Sequence, residues 1–328
     1  MTKVTVIIPA YNAAATLARA ARSVLVQTLC DIVVVIVDDG STDSTPHIAD
    51  ELAAADARVC VIHKKNGGGY AARMAGLSAI NSPYFAFLDA DDWVEPDLYE
   101  KTVAFADKER LDVVQYEMVG AKTVGLQPEV VRGKTGVFTK VVRPYMIEGQ
   151  SAFFVWDKLF KYSKKVVNWV SSSIMMFEDL KINFQVFEHV ESFGFLHEGL
   201  YHYEINAGSS VRNFKKKNIA DFAEMDAFRR ERSPRFGVAT DDSVHDHWFI
   251  KNMRNFLISA CVAKAPNWNE RLSNVRGLLE MPELSGALSR YVDGADRYLR
   301  FVCNFKSMPL SLSVAAVRTL KNLQRMFR

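Results

Sequence analysis

Strand-like runs and helical segments alternate four times over about the first ninety residues, and that alternation limits the fold more than any other feature of the chain. Val4-Thr5-Val6-Ile7-Ile8 is stopped by Pro9, and Ile32 to Val37 is six β-branched residues in a row. Arg58–His63 and Tyr84–Leu88 supply two more runs. Helical stretches at 14–28, 44–55 and 70–80 lie between them, the first with Leu17, Ala21, Val24 and Leu25 at helical spacing. Strands this continuously apolar are buried on both faces. The pattern predicts a Rossmann-like, mostly parallel central sheet flanked by helices, the α/β class.

Past residue 97 the alternation loosens. A helix is expected at 97–109, a strand around Val113-Val114-Gln115-Tyr116, and a small hairpin region or loop at 120–140. Helical pieces are expected at 140–148, 153–161 and 178–188, and two short strands at 192–197 and 200–205. Beyond Lys215-Lys216-Lys217 every segment reads as helix: 218–231, 242–264, 268–280 and 283–303. The boundary is therefore drawn at residue 215, between an α/β domain (1–215) and a helical C-terminal region (216–328).

The 328 residues are 49% hydrophobic and 24% charged, with a net charge of +3, as in a soluble globular protein. So small a charge argues against nucleic acid as a partner. Cys30, Cys60, Cys261 and Cys303 show neither a CxxC pair nor metal-ligand spacing, and Cys30 and Cys60, beside predicted strands, are expected as buried reduced thiols, which fits the cytoplasm. Pro9 interrupts the first apolar run too early for a signal peptide, and no uncharged apolar run approaches the ~18 residues of a spanning helix. The expectation is a cytoplasmic protein, at most peripheral on the inner face of the cell membrane.

Four polar or Gly-rich segments fall at the predicted C-terminal ends of strands, which form one rim of a parallel sheet. They are Pro9-Ala10-Tyr11-Asn12, Asp38–Asp43, Lys65-Asn66-Gly67-Gly68-Gly69 and Asp89-Ala90-Asp91-Asp92. Each alone has a plain structural reading as a turn or a helix cap. On one rim they describe a ligand site. Asp39 can accept from a pyrimidine imide, and Asp89 and Asp91 can share a hard divalent cation. The Gly67–Gly69 backbone can approach a phosphate or sugar, with Arg73 one turn on. A nucleotide-sugar fits this set. Downstream, Glu178-Asp179 either opens a helix or supplies the carboxylate that takes a proton from an attacking hydroxyl. Trp156, beside Asp157 and Lys158, is either a core ring or a platform for a sugar.

These segments, in this order over residues 4–210, resemble inverting family 2 glycosyltransferases of the GT-A fold, of the bacterial capsule, lipopolysaccharide and cell-surface polysaccharide type. The resemblance implies donor contacts from Pro9, Tyr11, Asn12, Asp38, Asp39, Asn66, Gly67, Arg73, Asp89, Ala90 and Lys158, and an acceptor contact from Trp156. Within the Asp-x-Asp pair it gives Asp89 the ribose and Asp91 the metal, Mn²⁺ or Mg²⁺. Asp179 resembles the catalytic base, with Glu178 beside it, and His197 and His202 are the candidates for a further metal ligand. The sequence departs from the type at His202 and Glu204, where a Tyr and an Arg are common; Arg212 or Lys215 would then meet the phosphates instead. The Gln-x-x-Arg-Trp motif and the membrane spans of processive synthases are absent. The implied reaction moves one hexosyl or N-acetylhexosaminyl group from a UDP-sugar to a hydroxyl of a glycan or lipid-linked glycan. The competing expectation is a catalytically inactive sugar-nucleotide-binding subunit of a glycan assembly complex.

After Asp296 the chain has no acid, and Lys306, Arg318, Lys321, Arg325 and Arg328 flank an apolar stripe of Leu310, Val314, Val317, Leu320 and Phe327. Such a helix packs on protein, on a second copy in a homo-oligomer, or on an anionic membrane surface.

Overall fold

The structure, a computed structural model, describes residues 2–123, 125–148, 154–166, 174, 176–204, 216–262, 268–290, 301–302 and 305–317. It falls into two compact units, Met1–Met146 with Ser151–Glu204, and Ile147–Gln150 with Ile205–Arg328. Arg212, Lys215 and the basic residues from Arg318 onward lie outside the described residues.

The first unit is built on one sheet. Its elements in order are β1 (Val4–Ala10), α1 (Leu17–Leu25), β2 (Ile32–Asp38), α2 (Thr45–Ala55), β3 (Val59–His63), α3 (Gly69–Leu77) and β4 (Tyr84–Phe87). Next come β5 (Trp93–Val94), α4 (Leu98–Glu109), β6 (Val113–Met118), β7 (Glu129–Arg132) and α5 (Gly133–Val137). A helix of wide, π-type pitch (Phe138–Ile147) leads towards β8 (Lys158–Lys161), α6 (Glu178–Phe187) and β9 (Ser192–His202). Among the described residues the strand order is β3-β2-β1-β4-β8-β6-β9-β5, with β7 on β9.

The parallel half matches the expected alternation. β1 pairs in parallel with β2 and β4, and β2 with β3, so the loops after all four strands open on one rim. β1 and β2 lie almost wholly in the core, whereas Cys30, before β2, and Cys60, in the less buried β3, are exposed rather than buried as expected. Helix α3 lies so close to β1 that a Cβ on Gly76 would sit 2.4 Å from Ile7 Cγ2; only glycine permits that packing.

The second half differs from expectation in two places. Within the stretch expected as helix at 153–161, Lys158–Lys161 is instead strand β8, antiparallel to both β4 and β6. Leu159 and Phe160 are buried between those neighbours, and their run of apolar residues was too short to set its own period. The two strands expected at 192–197 and 200–205 are one strand, β9, whose pairing with β6 shifts register after Tyr116. Because β8 runs backwards, β6 and β9 again point with β4. The end of β9 and the start of β8 therefore meet the same rim as the first four loops.

The second unit is helical: α7 (Lys217–Arg232), α8 (Ser243–Val262), α9 (Trp268–Leu279) and α10 (Pro282–Arg290). Phe222 stacks on Phe249 and Phe256 in its core. Asp226 and Asp246 are buried, and Arg230 bridges them while Arg290 also holds Asp246. Among the described residues no helix is long and apolar enough to cross a membrane.

Candidate active site

The rim loops are stitched to one another before any ligand is considered. Asn12, with its left-handed φ of 50°, gives its N–H to Ser41 Oγ and accepts from the Thr42 N–H. Asp38 turns inward, where it accepts from the Ser41 N–H and pairs with His63. Burial works against its charge, but these partners hold its carboxyl below the usual range. Asp39 is likewise engaged: the Gly67 and Gly68 N–H groups and Lys64 Nζ all donate to its carboxylate. The acid expected on a nucleotide base thus anchors the Gly-rich loop here. Pro9 sits at the end of β1 beside Val37, while Tyr11 and Asn66 are exposed on the rim.

The Gly-rich loop delivers α3, and α3 delivers Arg73. Expected as a ligand contact or a surface residue, Arg73 is 5% exposed. Its Nη2 donates to Asp89 Oδ1 (2.8 Å) and lies 3.8 Å from Asp179 Oδ1, and its Nη1 donates to Glu178 Oε1 (3.2 Å). One guanidinium thus joins the two acidic motifs. Gly69 makes this fit: a Cβ there would sit 2.7 Å from Glu178 Oε1.

So many acids in little water resist ionisation. Burial raises the Asp89 carboxyl to about 6, with Asp179 and Asp91 adding repulsion and Arg73 opposing both. Burial also raises Glu178 and Asp179, again against the pull of Arg73. Asp179 has two further restraints: Lys158 lies near, and the Val155 N–H donates to its carboxylate. Helix α6 begins right after Phe177, whose φ of 64° is rare for an aromatic residue, and its N-terminal dipole favours both acids.

The turn 89–92 is pinned from three sides. Asp92 is wholly buried, accepting from Tyr201 Oη (2.6 Å) and the Glu204 N–H (2.8 Å). Arg19 on α1 donates to the Asp91 carbonyl (2.7 Å), stacks over Trp93 and pairs with Glu204. Ala90 is buried within the turn. Neither Arg19 nor Tyr201 was expected at the site. Nothing in spacing marks an arginine on the first helix or a tyrosine in a late strand as its support.

Four expected contacts have protein partners of their own. Lys158 has no exposed surface; its ammonium donates to Asp157 Oδ1 and the Phe154 carbonyl. Trp156 is 5% exposed and stacked among Phe154, Tyr201 and Tyr203, so it offers no open face to an acceptor. His197 pairs with Glu117, and His202 pairs with Glu95 and stacks on Trp93. Among the described residues no three His, Cys, Asp or Glu side chains gather as a metal cage.

With this geometry in view, the comparisons with known proteins are decisive for the family. The model described as Glycosyl transferase family 2 matches residues 5–169, half of the chain. The chain belongs to glycosyl transferase family 2. This family 2 chain is 30% identical to the glycosyltransferase EpsJ of Bacillus subtilis over 215 residues, 63% of this chain and 62% of that protein. It is 30% identical to the glycosyltransferase GlyA of Streptococcus pneumoniae over 230 residues, 66% of this chain and 32% of that protein. The match thus spans less than two thirds of either relative. In structure, the chain is similar along its whole length to S. aureus TarS 1-349, with a TM-score of 0.61 at 15% identity and 92% of that chain covered. That likeness is one of fold, the GT-A arrangement with helices after it.

Proposed function

We propose that this family 2 chain moves one sugar, with inversion, from a UDP-sugar to a hydroxyl of a glycan or lipid-linked glycan in cell-surface polysaccharide synthesis. One observation carries the reading: Arg73 brings Glu178 and Asp179 against the Asp89–Asp92 turn on the rim of the parallel sheet. TarS has been crystallised with UDP and with UDP-GlcNAc, which supports a uridine donor here.

In this reading Asp179 takes the proton of the attacking hydroxyl. A carboxyl raised by burial, with Arg73, Lys158 and the Val155 N–H opposing the rise, suits a base. Asp89 and the Gly67–Gly69 loop lie against the donor, and Arg73 orients both acidic motifs. The oxygen-rich pair Asp89 and Asp91 suits Mn²⁺ or Mg²⁺ better than a softer ion, and the donor's phosphates would complete the ligand set. When bound, such an ion supplies positive charge beside the departing diphosphate.

The test compares wild type with Asp179→Asn. Each is given UDP-sugars, Mn²⁺ and a glycan extract as acceptor, and released UDP and the anomer formed are measured. We expect transfer to fall 10²–10⁴-fold in the variant, the range of a lost general base, while UDP binding persists. Equal rates would remove Asp179 from its role. UDP binding by wild type without turnover of any donor would favour an inactive binding subunit.

A further inference from the structure

Two aromatic rings near the base stand in solvent although partners surround them. Phe154 is 38% exposed and Tyr203 is 45% exposed. Both stack on the same buried ring: the Phe154 centroid is 4.7 Å from that of Trp156, and the Tyr203 centroid is 5.9 Å away, with interplanar angles of 22° and 20°. Scattered apolar residues on a surface need no explanation, but two exposed rings each held nearly parallel to the same buried ring are an ordered aromatic cluster.

The position of this cluster is fixed by the site itself. Lys158 Nζ and Asn183 Nδ2 both donate to the Phe154 carbonyl, and Asn183 Nδ2 also donates to the Asp179 carbonyl. The next residue, Val155, gives its N–H to the Asp179 carboxylate. At the other end, Tyr203 lies two residues past Tyr201, whose hydroxyl holds Asp92. The main chain of Phe154 is thus tied to the base, and Tyr203 follows closely the residue that holds the acidic turn.

Resting on the glycosyltransferase reading above, we propose that Phe154 and Tyr203 form the platform on which the acceptor's pyranose ring stacks, with the reacting hydroxyl directed at Asp179. Trp156 stacks on both rings. A pyranose presents axial C–H groups on its faces, and an aromatic ring of negative face attracts them while excluding water. Asp179, Glu178, Asp89 and Asp91 crowd the neighbouring surface, so the platform favours a neutral sugar over an acidic one.

The experiment uses the full chain saturated with UDP. Octyl β-glucoside, octyl β-galactoside and octyl N-acetyl-β-glucosaminide are titrated below their micelle concentrations, and contact is read by saturation-transfer NMR at the ring protons. Wild type should bind at least one glycoside through one ring face. Phe154→Ala and Tyr203→Ala should each weaken that binding at least tenfold, Phe154→Tyr and Tyr203→Phe should restore it, and UDP binding should stay within twofold throughout. Glycoside binding unchanged in both alanine variants overturns the platform, as does the absence of ring contact in wild type. Failure of wild type to bind UDP would instead overturn the donor reading on which the platform rests.

Discussion

Arg73 Nη1 donates to Glu178 Oε1 at 3.2 Å, a bond between residues 105 apart in the chain. The other nitrogen of the same fork holds Asp89. A planar guanidinium can serve two carboxylates at fixed angles, which an ammonium cannot. The relation between the donor-side acids and the base-side acids is therefore set by one buried side chain on α3.

Gly69 is the simplest place to disturb that relation. A Cβ there meets Glu178 Oε1 at 2.7 Å and Arg73 Nη1 at 3.1 Å, both ends of flexible side chains. Gly69→Ala should leave stability unchanged or raise it by up to ~1 kcal/mol, since alanine is the better helix former. Sugar transfer should fall at least tenfold as the acids shift. Thermal melts and rates measured together check this, and an unaltered rate would show that the spacing of Glu178 is not used.

Arg73→Gln keeps a polar, shorter side chain and removes the positive charge. Burial already raises Asp89, Glu178 and Asp179, and Arg73 is the strongest influence against it in each. Without that charge all three carboxyls move up further. A base that must be ionised then loses activity first at low pH, so the acid limb of the rate profile should move to higher pH. Rates at pH 6 should drop more than rates at pH 8. Parallel losses at both would mean that Arg73 acts by shape alone.

The residues that were legible in the sequence are those whose type is costly unless used. Three acids after a buried run, a glycine triplet opening a helix and a Glu-Asp pair all stood out, and their strands obey the expected parallel register. What escaped was whatever depends on long-range pairing. Strand β8 reads as helix because its few apolar residues carry no period, and only its two neighbours make it a strand. The resemblance implies ligand roles for Trp156 and Lys158, yet both are buried; sequence cannot tell an exposed ring or ammonium from a buried one. Arg19 acts through the Asp91 carbonyl, and no residue type advertises a main-chain partner.

Asp92 gives a second, independent dependence on pH. Burial raises its carboxyl to about 7, with Asp89 and Asp91 adding to the rise while the Glu204 N–H and Tyr201 hydroxyl oppose it. The folded state then holds a proton, between pH 4 and pH 7, that the unfolded chain has released. Stability from this group is greatest below pH 4 and declines as pH climbs to 7, by about 1.4 kcal/mol per pH unit for one proton. Asp92→Asn removes that titration. Urea unfolding of the variant should show a shallower decline over the window, by about one proton's worth; an identical slope would place the proton elsewhere.

The buried pair Asp157 and Lys158 separates support of the site from contact with substrate. Lys158 Nζ lies 2.5 Å from Asp157 Oδ1, and Gln115 Nε2 donates to the other oxygen at 3.0 Å. Burial pushes each member toward its neutral form, and their mutual attraction opposes it. Removing one partner leaves the other buried and uncompensated, so Lys158→Met should cost ~3–5 kcal/mol. Replacing both, as Asp157→Leu with Lys158→Met, should cost less than the single change. The pair also fixes the Phe154 carbonyl, and with it the Val155 N–H on Asp179. The double variant should therefore fold yet transfer sugar slowly, with donor KM within twofold of wild type and kcat reduced. Equilibrium unfolding gives the first comparison and steady-state kinetics the second. A raised donor KM with unchanged kcat would return Lys158 to the donor, against its position beneath the base.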